Sequence, residues 1–130
     1  MMLLLDTHCW LWLKAEPDRL PSPLRRRITR DPAKLVLSAA SVLEISIKQA
    51  TGRLKLQVDP ATLVEELVED GVKPLDVTMA HALRLASPPR HHRDPFDRLL
   101  IAQALTEGFT LVTADAQILA YDVPVIDARK

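Results

Sequence analysis

Asp6, Glu44, Asp97 and Asp115 are four acids placed where a fold could bring their carboxylates together, and a convergent set of carboxylates suits a hard divalent cation. Asp6 closes an unbroken apolar run, Met1-Met2-Leu3-Leu4-Leu5, and leads directly into Thr7-His8-Cys9-Trp10-Leu11-Trp12-Leu13. Such a run suits a short strand buried on both faces, as in a parallel sheet. A carboxylate at its C-terminal end stands at the edge where open α/β sheets place their ligands. Asp97, in Asp94-Pro95-Phe96-Asp97-Arg98, and Asp115, in Thr113-Ala114-Asp115, occupy similar junctions. Glu44 lies inside the apolar, helix-like stretch Val42-Leu43-Glu44-Ile45-Ser46-Ile47.

Each acid also has a plainer explanation. Asp94 reads as a helix N-cap and Pro95 as the first helical residue, so Asp97 falls where a carboxylate gains roughly 0.3–1 kcal/mol from the helix dipole. Asp6 and Asp115 could likewise be caps. Glu44 shares a helical face with Ala40, Ser41, Ile47 and Lys48. A lone buried carboxylate is costly unless paired or ligated, and a surface pair with Lys48 at i,i+4 would add only a few tenths of a kcal/mol. The coincidence of three acids at strand-to-helix junctions with a fourth on an inner helix face favours a site for a hard divalent cation such as Mg²⁺. Zinc is disfavoured, because His8, His81, His91 and His92 form no H-E-x-x-H pattern and Cys9 is alone.

The elements that must carry these acids alternate along the chain. Strands are expected at the N-terminus, at Lys34–Leu37, Val72–Val77 and Phe109–Thr113, with a last short one at Val123–Ile126. Helices are expected from Thr7 to Lys14, from an N-cap at Ser22 to Asp31-Pro32, from Ser38 to Thr51, and from Asp59-Pro60 to Gly71. Further helices follow at Thr78–Ala86, from Asp94-Pro95 to Gly108, and at Asp115–Ala120, with a loop at Ser87–Arg93 holding His91 and His92. Leu63, Val64, Leu67 and Val68 make an apolar stripe on one of these helices. This alternation argues for an α/β fold, a parallel sheet covered on both faces.

At 130 residues, 48% apolar with three glycines, the chain reads as one ordered domain. No apolar run reaches the roughly 20 residues of a membrane helix. The N-terminus lacks a basic segment and is interrupted by Asp6 and His8, which argues against a signal peptide. One cysteine permits no internal disulfide and is compatible with a reducing cytoplasm. The formal net charge is zero, yet residues 1–55 hold ten Lys/Arg against five Asp/Glu, and residues 56–130 seven against twelve. Arg25-Arg26-Arg27, Arg30, Lys48, Arg53 and Lys55 could therefore hold a polyanion, or could simply be solvated helix faces.

Taken in order, Leu5-Asp6-Thr7-His8, Ser38-Ala39-Ala40-Ser41-Val42-Leu43-Glu44-Ile45, the segment from Asp94 to Ala104, and Thr113-Ala114-Asp115 closely resemble PIN-domain proteins. The likeness covers essentially the whole chain and is greatest to the VapC-type toxins of prokaryotic toxin–antitoxin pairs. One departure is Leu43, where close relatives often carry tryptophan. The resemblance implies a three-layer α/β/α sandwich and a Mg²⁺- or Mn²⁺-dependent endoribonuclease neutralised by a small antitoxin. It assigns the metal and the catalysis to Asp6, Glu44, Asp97 and Asp115, with Thr113 and Asp94 in support. Arg53, Lys55, Arg25, Arg26 and Arg27 are the candidates for contact with RNA. Relatives commonly form homodimers, and the Trp10–Leu13 segment and the Leu63/Leu67 helix would supply apolar surface for one. Two other readings are a phosphoacceptor receiver-like domain and a catalytically idle RNA- or protein-binding PIN module. A receiver wants an acidic pair after its first strand and a lysine after its last; here Asp6 stands alone and Asp127 follows Ile126.

Overall fold

The chain begins as a strand, β1 (Leu3–Leu5), that runs at once into α1 (Thr7–Ala15) with Asp6 as the cap between them. A single 3₁₀ turn (Pro17–Arg19) leads to α2 (Ser22–Arg30), and a second (Pro32–Lys34) to β2 (Leu35–Ser38). There follow α3 (Ala39–Ala50), α4 (Pro60–Glu69), β3 (Lys73–Leu75), α5 (Met79–Arg84), α6 (Pro95–Glu107), β4 (Thr110–Thr113), α7 (Ala116–Leu119) and β5 (Val125–Asp127). The computed structural model describes residues 1–86 and 94–129, so the loop expected to carry His91 and His92 lies outside the described residues.

The five strands form one sheet in the order β3-β2-β1-β4-β5, and every pairing is parallel. Leu3 stands beside Leu35 on one side and Thr110 on the other, which makes β1 the central strand. From β1 the chain builds outward through β2 and β3, then crosses back to lay β4 on the opposite flank. The order reverses between β1 and β4, and in open α/β sheets the ligand crevice lies beyond the carboxyl ends of the strands at such a point. A receiver domain of the flavodoxin-like type has the order 2-1-3-4-5. The observed order therefore sets that reading aside.

Alternate strand residues point to opposite faces, and this divides the core in two. Leu3, Leu5, Leu35, Leu37 and Val112 pack with Trp10, Leu20, Ile28, Ile45, Leu63 and Leu67 from α1, α3, α4 and the α2 region. Leu4, Val36 and Leu111 pack with Leu100, Ile101, Ala104 and Ile118 from α6 and α7. The sheet is thus the middle layer of an α/β/α sandwich, which is why β1 is apolar at every position. Gly108, with φ +74°, ends α6 and reverses the chain into β4. Among the described residues no helix is long and apolar enough to cross a membrane.

Three expectations need correction. Ser22 is the first residue of α2 rather than its cap, and Pro21 holds the cap position with no side-chain bond, because Pro23 is accommodated equally well one residue deeper. Val68 leaves the expected stripe on α4 and is 49% exposed, since the helix buries only Leu63 and Leu67 against the sheet. Trp10, Leu63 and Leu67 are core residues, 0%, 6% and 2% exposed, so they supply no surplus surface for a dimer. Among the described residues the large apolar side chains that do face outward are Met1 before β1, Leu43 and Ile47 on α3, Val58 before α4, Val68 on α4, Val77 before α5, and Met79 and Leu83 on it.

Candidate active site

Asp6 leaves β1 in extended conformation and caps α1: its Oδ1 accepts from the Cys9 N–H at 2.7 Å. Its Oδ2 accepts from the Thr113 hydroxyl at 2.6 Å, across the β1/β4 boundary where the strand order reverses. Thr113 Oγ1 also accepts from the Asp115 N–H at 3.0 Å, and Asp115 caps α7 by accepting from Gln117 N–H at 2.8 Å. One hydroxyl thus ties the buried carboxylate after β1 to the acid after β4. Asp6 and Thr113 are buried, and Asp115 is half-buried.

Thr7, the first residue of α1, reaches the other way. Its hydroxyl donates to Glu44 Oε1 at 2.7 Å and its Oγ1 lies 3.0 Å from Ser41 Oγ. The second carboxylate oxygen of Glu44, Oε2, accepts from Lys48 Nζ at 2.5 Å. The pairing with Lys48 is the plainer explanation weighed from the sequence, but its setting is different. The Glu44 side chain is 2% exposed, so this is a buried carboxylate with a counter-ion rather than a surface pair.

Asp97 stands in the first turn of α6, where Asp94 Oδ1 accepts from the N–H groups of Phe96 and Asp97. Because α6 returns through Gly108 to the start of β4, its N-terminus lies at the sheet edge that carries Asp6 and Asp115. A bond between Ser38, which caps α3, and Gln103 of α6 (2.5 Å) locks these two helices together.

Thr7 and Ser41 escaped the sequence reading as site residues, and their adjacency to Asp6 and their spacing from Glu44 were the signals. Cys9 is chemically quiet. Burial, then the Asp6 charge and a hydrogen bond to it, pushes the thiol far above its ordinary range, so it offers no thiolate nucleophile.

The basic candidates divide. Arg25 donates to Asp18 at 2.8 Å and to the Pro17 carbonyl at 3.2 Å. Arg27 lines a cleft with Met1, Leu3, Lys34 and Leu35, at the starts of β1 and β2 and thus at the sheet edge opposite the acids; Arg26 is exposed on the same helix. Arg53 and Lys55 are exposed just beyond the C-terminus of α3, the helix that carries Glu44.

The donors gathered here are carboxylate and hydroxyl oxygens, the set a hard cation prefers. Each ionised carboxylate has about four lone-pair sites, and the bonds to Asp6 described above occupy one on each oxygen. Among the described residues no group of three or more His, Cys, Asp or Glu side chains stands close enough together to hold a metal ion. An open, all-oxygen group of this kind fits Mg²⁺ or Mn²⁺ that keeps part of its water shell.

A parallel sheet with acids at its switch point is an α/β architecture built for a ligand at the strand ends. The PIN domain family model matches residues 3–124, and the chain belongs to the PIN-domain family. Ribonuclease VapC22 of Mycobacterium tuberculosis (strain ATCC 25618 / H37Rv) is 30% identical over 123 residues, covering 94% of this chain and 93% of that protein. Among solved structures, VapBC2 from Rickettsia felis, bound to a DNA fragment from their promoter, superposes with TM-score 0.74 at 12% identity. It covers 98% of each chain. FitAcB from Neisseria gonorrhoeae superposes with TM-score 0.64 at 23% identity, again over 98% of each.

Thr113→Val tests the central bond at nearly constant volume. It leaves Asp6 Oδ2 and the Asp115 N–H without their partner, and should cost about 1–3 kcal/mol in urea denaturation. Thr113→Ser should recover most of that loss. Equal stability of the valine and serine variants would show that the bond contributes nothing net.

Proposed function

We propose that this chain is a Mg²⁺- or Mn²⁺-dependent endoribonuclease that acts as the toxin of a toxin–antitoxin pair. The observation that carries the reading is the pair of bonds, Thr113 to Asp6 and Thr7 to Glu44, that holds two buried carboxylates ready at the switch point. A structural protein gains nothing from two such carboxylates where apolar residues would pack as well, so they favour catalysis over an idle binding module.

Asp6 and Asp97 would hold the cation, with Glu44 and Asp115 binding it directly or through water. When bound, the cation supplies Lewis acidity for phosphodiester hydrolysis, activating water and offsetting charge on the phosphoryl oxygens. The protein's own groups prepare that chemistry. Thr113 keeps Asp6 oriented, Thr7 does the same for Glu44, and Asp94 fixes the first turn of α6 from which Asp97 projects. Cys9 stays protonated beside Asp6 and adds no charge to the site.

RNA is a polyanion and meets the acidic centre only through the cation, so affinity must come from basic residues at the rim. Arg53 and Lys55 are the better candidates, because they follow the helix that carries Glu44, whereas Arg27 belongs to the far edge. The outward apolar side chains of α3 and α5, Leu43, Ile47, Met79 and Leu83, are the surface we assign to a second copy of the chain. A small antitoxin would neutralise the dimer in the cytoplasm.

Asp97→Asn tests the metal reading. It should abolish Mg²⁺-dependent RNA cleavage while leaving the metal-free protein no less stable, and the rise in melting temperature on adding Mg²⁺ should shrink. If Asp97 serves only the helix dipole, the variant loses roughly 0.3–1 kcal/mol and cuts RNA as before. For the rim, Arg53→Ala with Lys55→Ala should shallow the salt dependence of RNA binding by about 0.7 per lost phosphate contact. An unchanged slope would move the RNA track elsewhere. For the dimer, sedimentation at tens of micromolar, a range guided by common interface affinities, should show two copies; a monomer there would count against it.

A further inference from the structure

We infer that Lys48 is a built-in counter-ion, which neutralises the Glu44 carboxylate in the metal-free protein and yields it when a divalent cation binds. The inference rests on the metal reading above and adds a competitor for that metal. Glu44 is 2% exposed at its side chain, and a carboxylate so buried is costly without a compensating partner. Thr7 gives one neutral hydrogen bond to Oε1, and Lys48 gives the charge to Oε2 at 2.5 Å. A cation using the same carboxylate would stand next to that ammonium, and repulsion between them grows as water is excluded. One of the two must leave.

Lys48 is built to leave. Its side chain is 32% exposed, so the ammonium has a route to water, and its flexible four-carbon stem can swing there without moving the helix. Its backbone, by contrast, is pinned: the carbonyl accepts from Arg53 N–H at 2.8 Å and from Leu54 N–H at 3.1 Å. Exchange therefore needs a change of rotamer at one residue and no rearrangement of α3. The paired state keeps the metal-free protein folded around a buried charge, and it also raises the concentration of cation needed to fill the site.

Two measurements test this. In the unaltered protein, the rate at which an amine-directed acylating reagent modifies Lys48, read by peptide mass spectrometry, should rise several-fold when Mg²⁺ saturates the site. Mn²⁺ binding, followed by the electron paramagnetic resonance of the free ion, should tighten about tenfold in Lys48→Met, a change equivalent to about 1.4 kcal/mol. In Lys48→Arg, which keeps the charge, it should stay near the parent's. Lys48→Met should also melt earlier without metal and gain more from its addition. Should Lys48→Met not fold, the acylation rate of the parent decides alone. Equal or weaker Mn²⁺ binding by Lys48→Met would overturn the inference, as would a Lys48 reactivity indifferent to Mg²⁺. Failure of the parent and of Lys48→Met alike to bind Mn²⁺ would instead overturn the metal reading, and this inference with it.

Discussion

Two carboxylates, those of Asp6 and Glu44, are buried at the carboxyl end of the central strand, and much of the local structure exists to make that tolerable. A buried charge is costly unless its hydrogen bonds are complete, whereas a hydrogen bond to a charged group contributes about 1.5–3 kcal/mol. Asp6 receives its bonds from the first turn of α1 and from the last residue of β4. The same side chain therefore starts a helix and locks two strands across the point where the sheet changes direction. Glu44 receives its bonds from α1 and from its own helix, so the α1/α3 contact is fixed by a buried acid. The residues proposed to carry the chemistry are thus also residues that hold the fold.

The opposite flank is secured by a second set of buried contacts, centred on Gln103 and His81. Gln103 of α6 accepts from Ser38 and reaches the Asp76 carbonyl and His81 Nδ1, each at 3.3 Å. His81 is fully buried; its Nδ1 accepts from the Thr78 N–H at 3.0 Å, so the ring proton sits on Nε2 and is directed at Glu107 Oε1, 2.8 Å away. This chain of contacts ties the end of β3, α5, α6 and the start of α3 to one another. Ser38 lies six residues before Glu44 and Gln103 six residues after Asp97, so their bond sets the relative position of the helices carrying those two acids. A residue far from the acids in sequence thereby controls how they face one another.

The strands, the capping acids and the alternation of elements were legible in the sequence because each is a local property. The Leu3–Leu5 run, the Asp94-Pro95 start and the Gly108 stop each declare themselves within a few residues. What remained hidden depends on strand order, which no local pattern encodes. Arg27 looked like part of one basic field with Arg53, yet the return of the chain to β2 leaves it at the far edge of the sheet. Trp10 looked like interface material because aromatic residues often are, and only the packing of α1 over Leu3 and Leu5 makes it core. Lys48 was legible as a partner for Glu44 but not as a buried one. Its setting follows from Thr7, thirty-seven positions before Glu44, which draws the carboxylate inward.

The contrast between the centre and the rim bears on how a charged strand would be received. At the centre the acids are held by short, buried bonds that neutral water cannot replace at equal strength. At the rim the ion pairs are exposed: Arg19 with Glu16, Arg25 with Asp18, and Arg129 with Asp127. Exposed pairs of this kind contribute little to stability, so a phosphate can exchange for any of these carboxylates at small loss. Arg19 also lies 4.7 Å from the Trp12 ring centroid, and Trp12, Arg19 and Arg129 line one cleft with Ala114, next to Asp115. The side chains that border the acidic centre on this flank are therefore weakly committed, while those within it are firmly committed. Only a ligand bringing its own positive charge competes on equal terms for the buried carboxylates. A polyanion would by contrast meet the edge, where exchanging one exposed ion pair for another costs little.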